Sequence, residues 1–248
     1  SLVQHNHEIY GFIRGGVPVD WRDAKGETCH ALARVIDFRN GTGPDSKPNN
    51  RFLAVRELKI QGIRVPHYNR RADLVCFING LPLVFIELKA VYRNIRAGFD
   101  DNLTDYLTEH SIAHAFHHNA FLVVSNGDAA RYGSITSKWE HFVEWKRNAE
   151  TDKGRVNAEA LLDGMLAKER LLDLVENFIL FDDSRAGGMR KIVARNHQVL
   201  GVNNAIASVQ RQEDLKREYP HDHRLLVYEY PLAAEDAPLF LIESSDSG

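Results

Sequence analysis

The chain has 248 residues, a formal net charge of −3, 44% hydrophobic and 26% charged residues, and two cysteines. That is enough chain for a sizeable core in one large or two smaller domains, and the slightly acidic balance excludes a surface that attracts nucleic acid everywhere. No apolar run approaches the roughly 20 residues a membrane-spanning helix needs, and the opening SLVQHNHEIYG lacks a signal-peptide core, so a cytoplasmic location with no membrane partner is expected. Cys29 and Cys76 lack metal-ligand spacing, and Cys76 reads as a small buried hydrophobe in a reducing compartment.

In chain order, a helix is expected to end near Gly15-Gly16. Short strands follow over 17–23 and 31–38, with a turn at Ala24-Lys25-Gly26. Residues 40–50, rich in Gly, Pro, Asn and Ser, form a polar loop. A strand covers RFLAVRELKI and turns at Gln61-Gly62. Between residues 51 and 71 stand Arg51, Arg56, Lys59, Arg64, Arg70 and Arg71 against a single acid, Glu57. This window is either a solvated strand face or a set of phosphate contacts; Arg64, Arg70 and Arg71 are its candidates for DNA contact.

The run from Arg71 to Lys89, RADLVCFINGLPLVFIELK, has two apolar segments flanking Asn79-Gly80, the strongest short-range hairpin signal. Both segments suit strands covered on two faces. Against them stand Asp73, Glu87 and Lys89, charges whose burial needs a partner. Glu87 and Lys89 share a face, and the Leu88 carbonyl is a further oxygen. A two-residue turn pairs Ile78 with Leu81 and would put Asp73 opposite Ile86. Bringing Asp73 opposite Glu87 requires a longer loop or a bulge, and one of these is expected.

An Asp followed across an Asn-Gly hairpin by Glu-x-Lys resembles the PD-(D/E)xK nuclease core. The longer string RRADLVCFINGLPLVFIELK is similar to the nuclease segment of the restriction (R) subunit of type I restriction-modification enzymes, with Ala72 where that family usually has Pro. The resemblance implies an α/β fold, a mixed central sheet flanked by helices and followed by a mostly helical C-terminal segment. It implies Mg²⁺, or Mn²⁺, held by Asp73, Glu87 and the Leu88 carbonyl. Lys89 then orients or deprotonates the nucleophile. Double-stranded DNA is the implied substrate, and the modification and specificity subunits are the implied partners.

Beyond Lys89, residues 99–110 carry a helical pattern, with Asp100 and Asp101 suited to an N-terminal turn. Asn102 and Tyr106 lie four apart on one face. R subunits have a Q-x-x-x-Y motif here, so these two are candidate supports for DNA or for Lys89, with Asn one methylene shorter than Gln. His114, His117 and His118 have one helical ligand spacing, but no Cys or carboxylate completes a set. A buried strand FLVVS and a turn at Asn126-Gly127-Asp128 follow. Residues 158–180 read as amphipathic helix broken at Gly164. A polar turn spans 182–188, a strand 191–195 and a helix from His197 to about Tyr219. Two strand-like runs occupy 224–230 and 238–243.

The stretch around 170–206 resembles the R subunit's passage from nuclease to motor. Gln198 matches a glutamine that reads adenine in such motors, so it is the one candidate for nucleotide contact. No G-x-x-x-x-G-K-[ST] loop is present, so ATP belongs to the full-length subunit only. The expected organisation is an endonuclease domain over 1–150 and a linker with the start of a motor domain over 151–248. The expected function is a Mg²⁺-dependent endodeoxyribonuclease domain. The alternatives are a non-catalytic DNA-binding or subunit-docking module, or a nuclease of the same core acting on another nucleic acid.

Overall fold

A computed structural model describes residues 1–40, 47–65, 67–184 and 186–218, together with two-residue strands at Leu225–Leu226 and Ile242–Glu243. It divides into two units, Ser1–Leu200 and Gly201–Gly248. Among the described residues no helix is long and apolar enough to cross a membrane.

The first unit opens with α1 (Leu2–Gly15), which begins with a Ser1/Gln4 capping box and ends at Gly16, φ 94, a value only glycine adopts freely. β1 (Val17–Arg22) and β2 (Thr28–Ala33) make a ribbon whose turn is fixed by the Asp23 carboxylate accepting from the Lys25 and Glu27 amides. The second strand therefore starts and ends earlier than the expected 31–38, because that Asx turn pins its register. Part of the expected 40–50 loop lies outside the described residues.

The central sheet runs β3 (Phe52–Gln61), β4 (Asn69–Ile78), β5 (Leu81–Leu88), β6 (Phe121–Ser125) and β7 (Ala130–Gly133), in that order. Every pairing is antiparallel except β5 with β6, which is parallel, so the sheet is mixed. β6 is buried along its whole length, as its all-apolar run requires. Two apolar clusters cover the two faces. One joins Ile78, Val84, Ile86, Phe121 and Val123 to Tyr10, Trp145, Leu172, Val175 and Val199; the other joins Ala72, Val75, Phe85, Leu122 and Val124 to Tyr106, Ile112 and Phe116.

The β5–β6 crossover holds less helix than residues 99–110 suggest: a π-helical turn at Gly98–Leu103, a single turn α2 (Thr104–Tyr106), then a 3₁₀ turn at Ala113–Phe116. A π turn carries one extra residue per hydrogen-bonded loop, and such turns recur at functional sites. Downstream, α3 (Ala158–Gly164) is capped by the Asn157 side chain and followed by α4 (Lys168–Asn177). The glycine at 164 has a steric cause: a Cβ there would lie 2.0 Å from Asn148 Oδ1 and 2.2 Å from Trp145 Nε1. Residues 179–180, read as helix from the sequence, instead begin β8 (Ile179–Asp182), which pairs antiparallel with β9 (Arg190–Val193). The run Phe178-Ile179-Leu180-Phe181, three of its four residues β-branched or aromatic, overrides the helical spacing. α5 (Asn196–Glu218) starts in the first unit.

In the second unit, Leu225–Leu226 pairs antiparallel with Ile242–Glu243. The rest of the expected strands at 224–230 and 238–243 lies outside the described residues.

One buried charge-bearing group stands apart from the sheet. Lys191, 2% exposed, donates its ammonium nitrogen to Asn6 Oδ1 at 2.8 Å and to the Asn119 carbonyl, and lies near the Tyr10 and Phe181 rings. Burial without a carboxylate in contact drives its pKa well below the ordinary lysine value. This polar knot ties β9 to α1 and to the segment that leads into β6.

Candidate active site

The hairpin keeps its two-residue turn, with Asn79 at φ 51 and Gly80 at φ 86, and Ile78 pairs with Leu81. Between Cys76 and Phe77 the register shifts, so that Phe77 faces Pro82 but Cys76 faces Val84. The shift is a one-residue bulge at Leu83, and it changes the index sum from odd to even. Continued past Leu74 and Ile86, the new register sets Asp73 opposite Glu87. The Asp73 Oδ2 accepts from the Leu88 amide at 2.8 Å, which binds the first acid to the backbone between Glu87 and Lys89.

Glu87 is 1% exposed, and its Oε2 is buried with no hydrogen-bond partner. Its carboxyl is pushed up to about 8 by burial first and by the neighbouring Asp73 charge second; the Tyr106 hydroxyl and Lys89 pull it back only in part. A carboxyl in this state is poised to release its proton when a cation arrives. Lys89 donates to Asn102 Oδ1 at 2.7 Å, and Asn102 Nδ2 lies 3.4 Å from the Tyr106 hydroxyl. That hydroxyl accepts from Asn102 and donates to the Arg71 carbonyl at 3.0 Å, and burial raises its own value to about 12. The main chain at Gly98 passes directly over Glu87 and Lys89: a Cβ there would meet Glu87 Cβ and Lys89 Cε at 3.6 Å. Asn102, though shorter than Gln, does reach Lys89.

The structure thus gathers Asp73, Glu87, Lys89, Asn102 and Tyr106. Arg64, Arg70 and Arg71 do not join them as free cations. Arg64 pairs with Glu109 at 2.5 Å, Arg71 with Glu57 at 3.6 Å, and Arg70 with Asp105 at 2.5 Å while its guanidinium lies 3.6 Å over the Tyr68 ring. The Arg70 pair holds the Asp105 carboxyl below the usual range, with the Tyr68 hydroxyl adding a bond at 3.0 Å. Gln198 is exposed, and its Oε1 accepts from the Arg195 amide at 2.8 Å, capping α5. Sequence reasoning passed over Glu57, whose signal was its isolation as the single acid in a basic window, and Lys191, whose burial no local pattern indicated.

Among the described residues no group of three or more His, Cys, Asp or Glu side chains is placed to hold a metal. Two carboxylates, one with an orphaned buried oxygen, together with a main-chain carbonyl at Leu88, suit a hard cation that retains several waters. They do not suit a closed protein cage.

A five-stranded mixed sheet carrying two carboxylates and a lysine on adjoining strands is consistent with a nuclease-like core. The family model for the type I restriction enzyme R protein N terminus matches residues 1–141, and the chain belongs to that family. It is 34% identical over 220 residues to the type I restriction enzyme HindI endonuclease subunit of Haemophilus influenzae, covering 84% of this chain and 19% of that protein. It is 28% identical over 237 residues to the MjaIXP counterpart of Methanocaldococcus jannaschii, covering 88% and 21%. The chain therefore spans about a fifth of the length of these relatives.

Proposed function

We propose that this chain is the Mg²⁺-dependent endodeoxyribonuclease region of a type I restriction enzyme R subunit, with a PD-(D/E)xK site. The observation that carries the reading is the buried, partnerless Glu87 Oε2 beside Asp73, two residues along the chain from Lys89. Asp73, Glu87 and the Leu88 carbonyl would hold Mg²⁺ or Mn²⁺. When bound, such an ion lowers the pKa of a coordinated water and stabilises charge on a scissile phosphate.

The chain's own groups do the rest. Lys89, fixed by Asn102, presents a cation to the attacking oxygen and stabilises the developing charge. Asn102 keeps the amine pointed and Tyr106 keeps Asn102 and Glu87 in place. The Leu88 amide donates to Asp73 and keeps its side chain aimed. Double-stranded DNA as substrate, modification and specificity subunits as partners, ATP used by the motor of the complete subunit and a cytoplasmic setting belong to the same proposal. It is supported by the family and by relatives described as endonuclease subunits.

The test has two parts. Calorimetric titration of the chain with Mn²⁺ should give binding that Asp73→Ala abolishes and Lys89→Ala leaves in place. The complete subunit, assembled with its partners and ATP, should cut DNA, and either substitution should remove cutting. Cleavage persisting in both variants, or wild-type chain taking up no Mn²⁺, would sink the assignment.

A further inference from the structure

A residue outside the motif shapes the carboxylate site, an inference that rests on the metal-binding reading above. In a regular strand, residues an even number apart share a face. β3 and β4 both break this rule, and at the same level. Phe52 packs against the first apolar cluster, whereas Leu58 and Ile60 pack against the second. In β4, Leu74 and Cys76 pack against the first cluster, whereas Ala72 lies in the second beside Val75. The slip falls at Glu57 in one strand and at Asp73 in the other. The flanking pairs Arg56 with Leu74 and Leu58 with Ala72 set these two residues opposite each other, and neither appears in the ladder as a regular pair.

The cause is visible in the main chain. Glu57 has φ 53, a left-handed conformation in the middle of a ten-residue strand. The other described non-glycine residues with positive φ are asparagines, a type that tolerates this region. Glutamate does not, and the Glu57–Arg71 pair, 3.6 Å apart with both side chains more than half exposed, is too weak to hold it there.

The slip has a specific product. Unslipped, β4 would continue the face of Val75 through Asp73 to Arg71 and turn that long cationic side chain toward Tyr106. Slipped, β4 buries the small Ala72 there, leaves the Arg71 carbonyl to accept from Tyr106, lets Arg70 reach Asp105 and seats Asp73 in the crease, bonded to Leu88. We propose that Glu57 is a positioning residue for the acid pair, acting through its left-handed main chain rather than through its carboxylate.

Glu57→Gly and Glu57→Val in the full chain separate the two roles, with Mn²⁺ affinity by calorimetry and metal-free Tm as readouts. Glycine enters the left-handed region freely, so Glu57→Gly should keep Mn²⁺ affinity within about threefold and melt at or above wild type. Valine, β-branched, drives the strand to straighten, so Glu57→Val should bind Mn²⁺ about tenfold more weakly and melt lower. Loss of affinity in the glycine variant overturns the proposal, because the carboxylate would then be what matters. A folded valine variant with wild-type affinity overturns it as well. If wild type takes up no Mn²⁺, the metal reading fails instead and the melting order decides: valine melting no lower than glycine refutes the crease. A valine variant that cannot fold while the glycine variant gains stability supports it.

Discussion

Replacing Glu87 by glutamine is expected to stabilise the metal-free protein at alkaline pH while removing its response to metal. A carboxyl raised from 4.5 to about 8 means that above pH 8 the native state carries a charge it resists. At about 1.4 kcal/mol for each pH unit of displacement, the cost to the metal-free fold is on the order of 5 kcal/mol. The sign follows from proton counting. Between pH 4.5 and about 8 the native state binds more protons at Glu87 than the unfolded chain does. Stability without metal should therefore fall as pH rises through that window. Glutamine is neutral throughout but still buries an amide with an unfilled donor, so the expected gain is about 2–3 kcal/mol at alkaline pH, passing through zero inside the window and turning into a loss of about the same size near pH 4.5, where the wild-type carboxyl is itself neutral. Urea unfolding of both proteins in EDTA, repeated at several pH values, measures this. Adding Mg²⁺ should then raise the stability of wild type and leave Glu87→Gln unchanged. A glutamine variant no more stable than wild type in EDTA at pH 9, or one stabilised equally by Mg²⁺, would refute the reasoning.

Lys191→Met should remove a second pH dependence of opposite sign. The native lysine binds fewer protons than the unfolded one, so its contribution to wild-type stability rises with pH up to the ordinary value of 10.5, and thermal melts of wild type and variant should diverge as pH falls below it. Asn102→Ala should lower the cleavage rate of the assembled enzyme roughly 10- to 100-fold with Mn²⁺ affinity unchanged, because it frees Lys89 without touching the acids; a parallel loss of affinity would show that Asn102 supports the metal instead. Arg64→Ala with Arg70→Ala should flatten the salt dependence of DNA affinity if their ion pairs open on binding, by a slope of about 2. An unchanged slope would leave both residues as partners of Glu109 and Asp105.

The hairpin, its turn and the trio Asp73, Glu87 and Lys89 were legible because period-two burial and Asn-Gly chemistry act over a few residues. Even the need for an irregularity between Asp73 and Glu87 followed from counting. Its place did not, since a bulge at Leu83 is chosen by how Val84 and Ile86 meet Phe121 and Val123 across the sheet. The Glu57 slip was hidden for the same reason: RFLAVRELKI reads as an ordinary strand, and only packing on both faces reveals the change of phase. Residues 99–110 misled because a helical spacing of apolar and acidic residues does not distinguish a long helix from one π turn closed over a site. The basic window suggested phosphate contacts because charge is countable in sequence, whereas the carboxylates that answer Arg64, Arg70 and Arg71 arrive from positions 109, 105 and 57.

The core shared by the sheet and the later helices bears on where this protein can be cut. Tyr132 donates to the Ala194 carbonyl, Tyr10 to Val175, and Lys191 needs both Asn6 and Asn119. A shorter expression product stopping near residue 150 would strip one side of the sheet of Leu172, Val175 and Val199, exposing Val84 and Val123 to water. Terminating after Leu200 keeps that apolar layer, so the smallest piece worth purifying extends well past Gly133, where the last strand of the sheet ends.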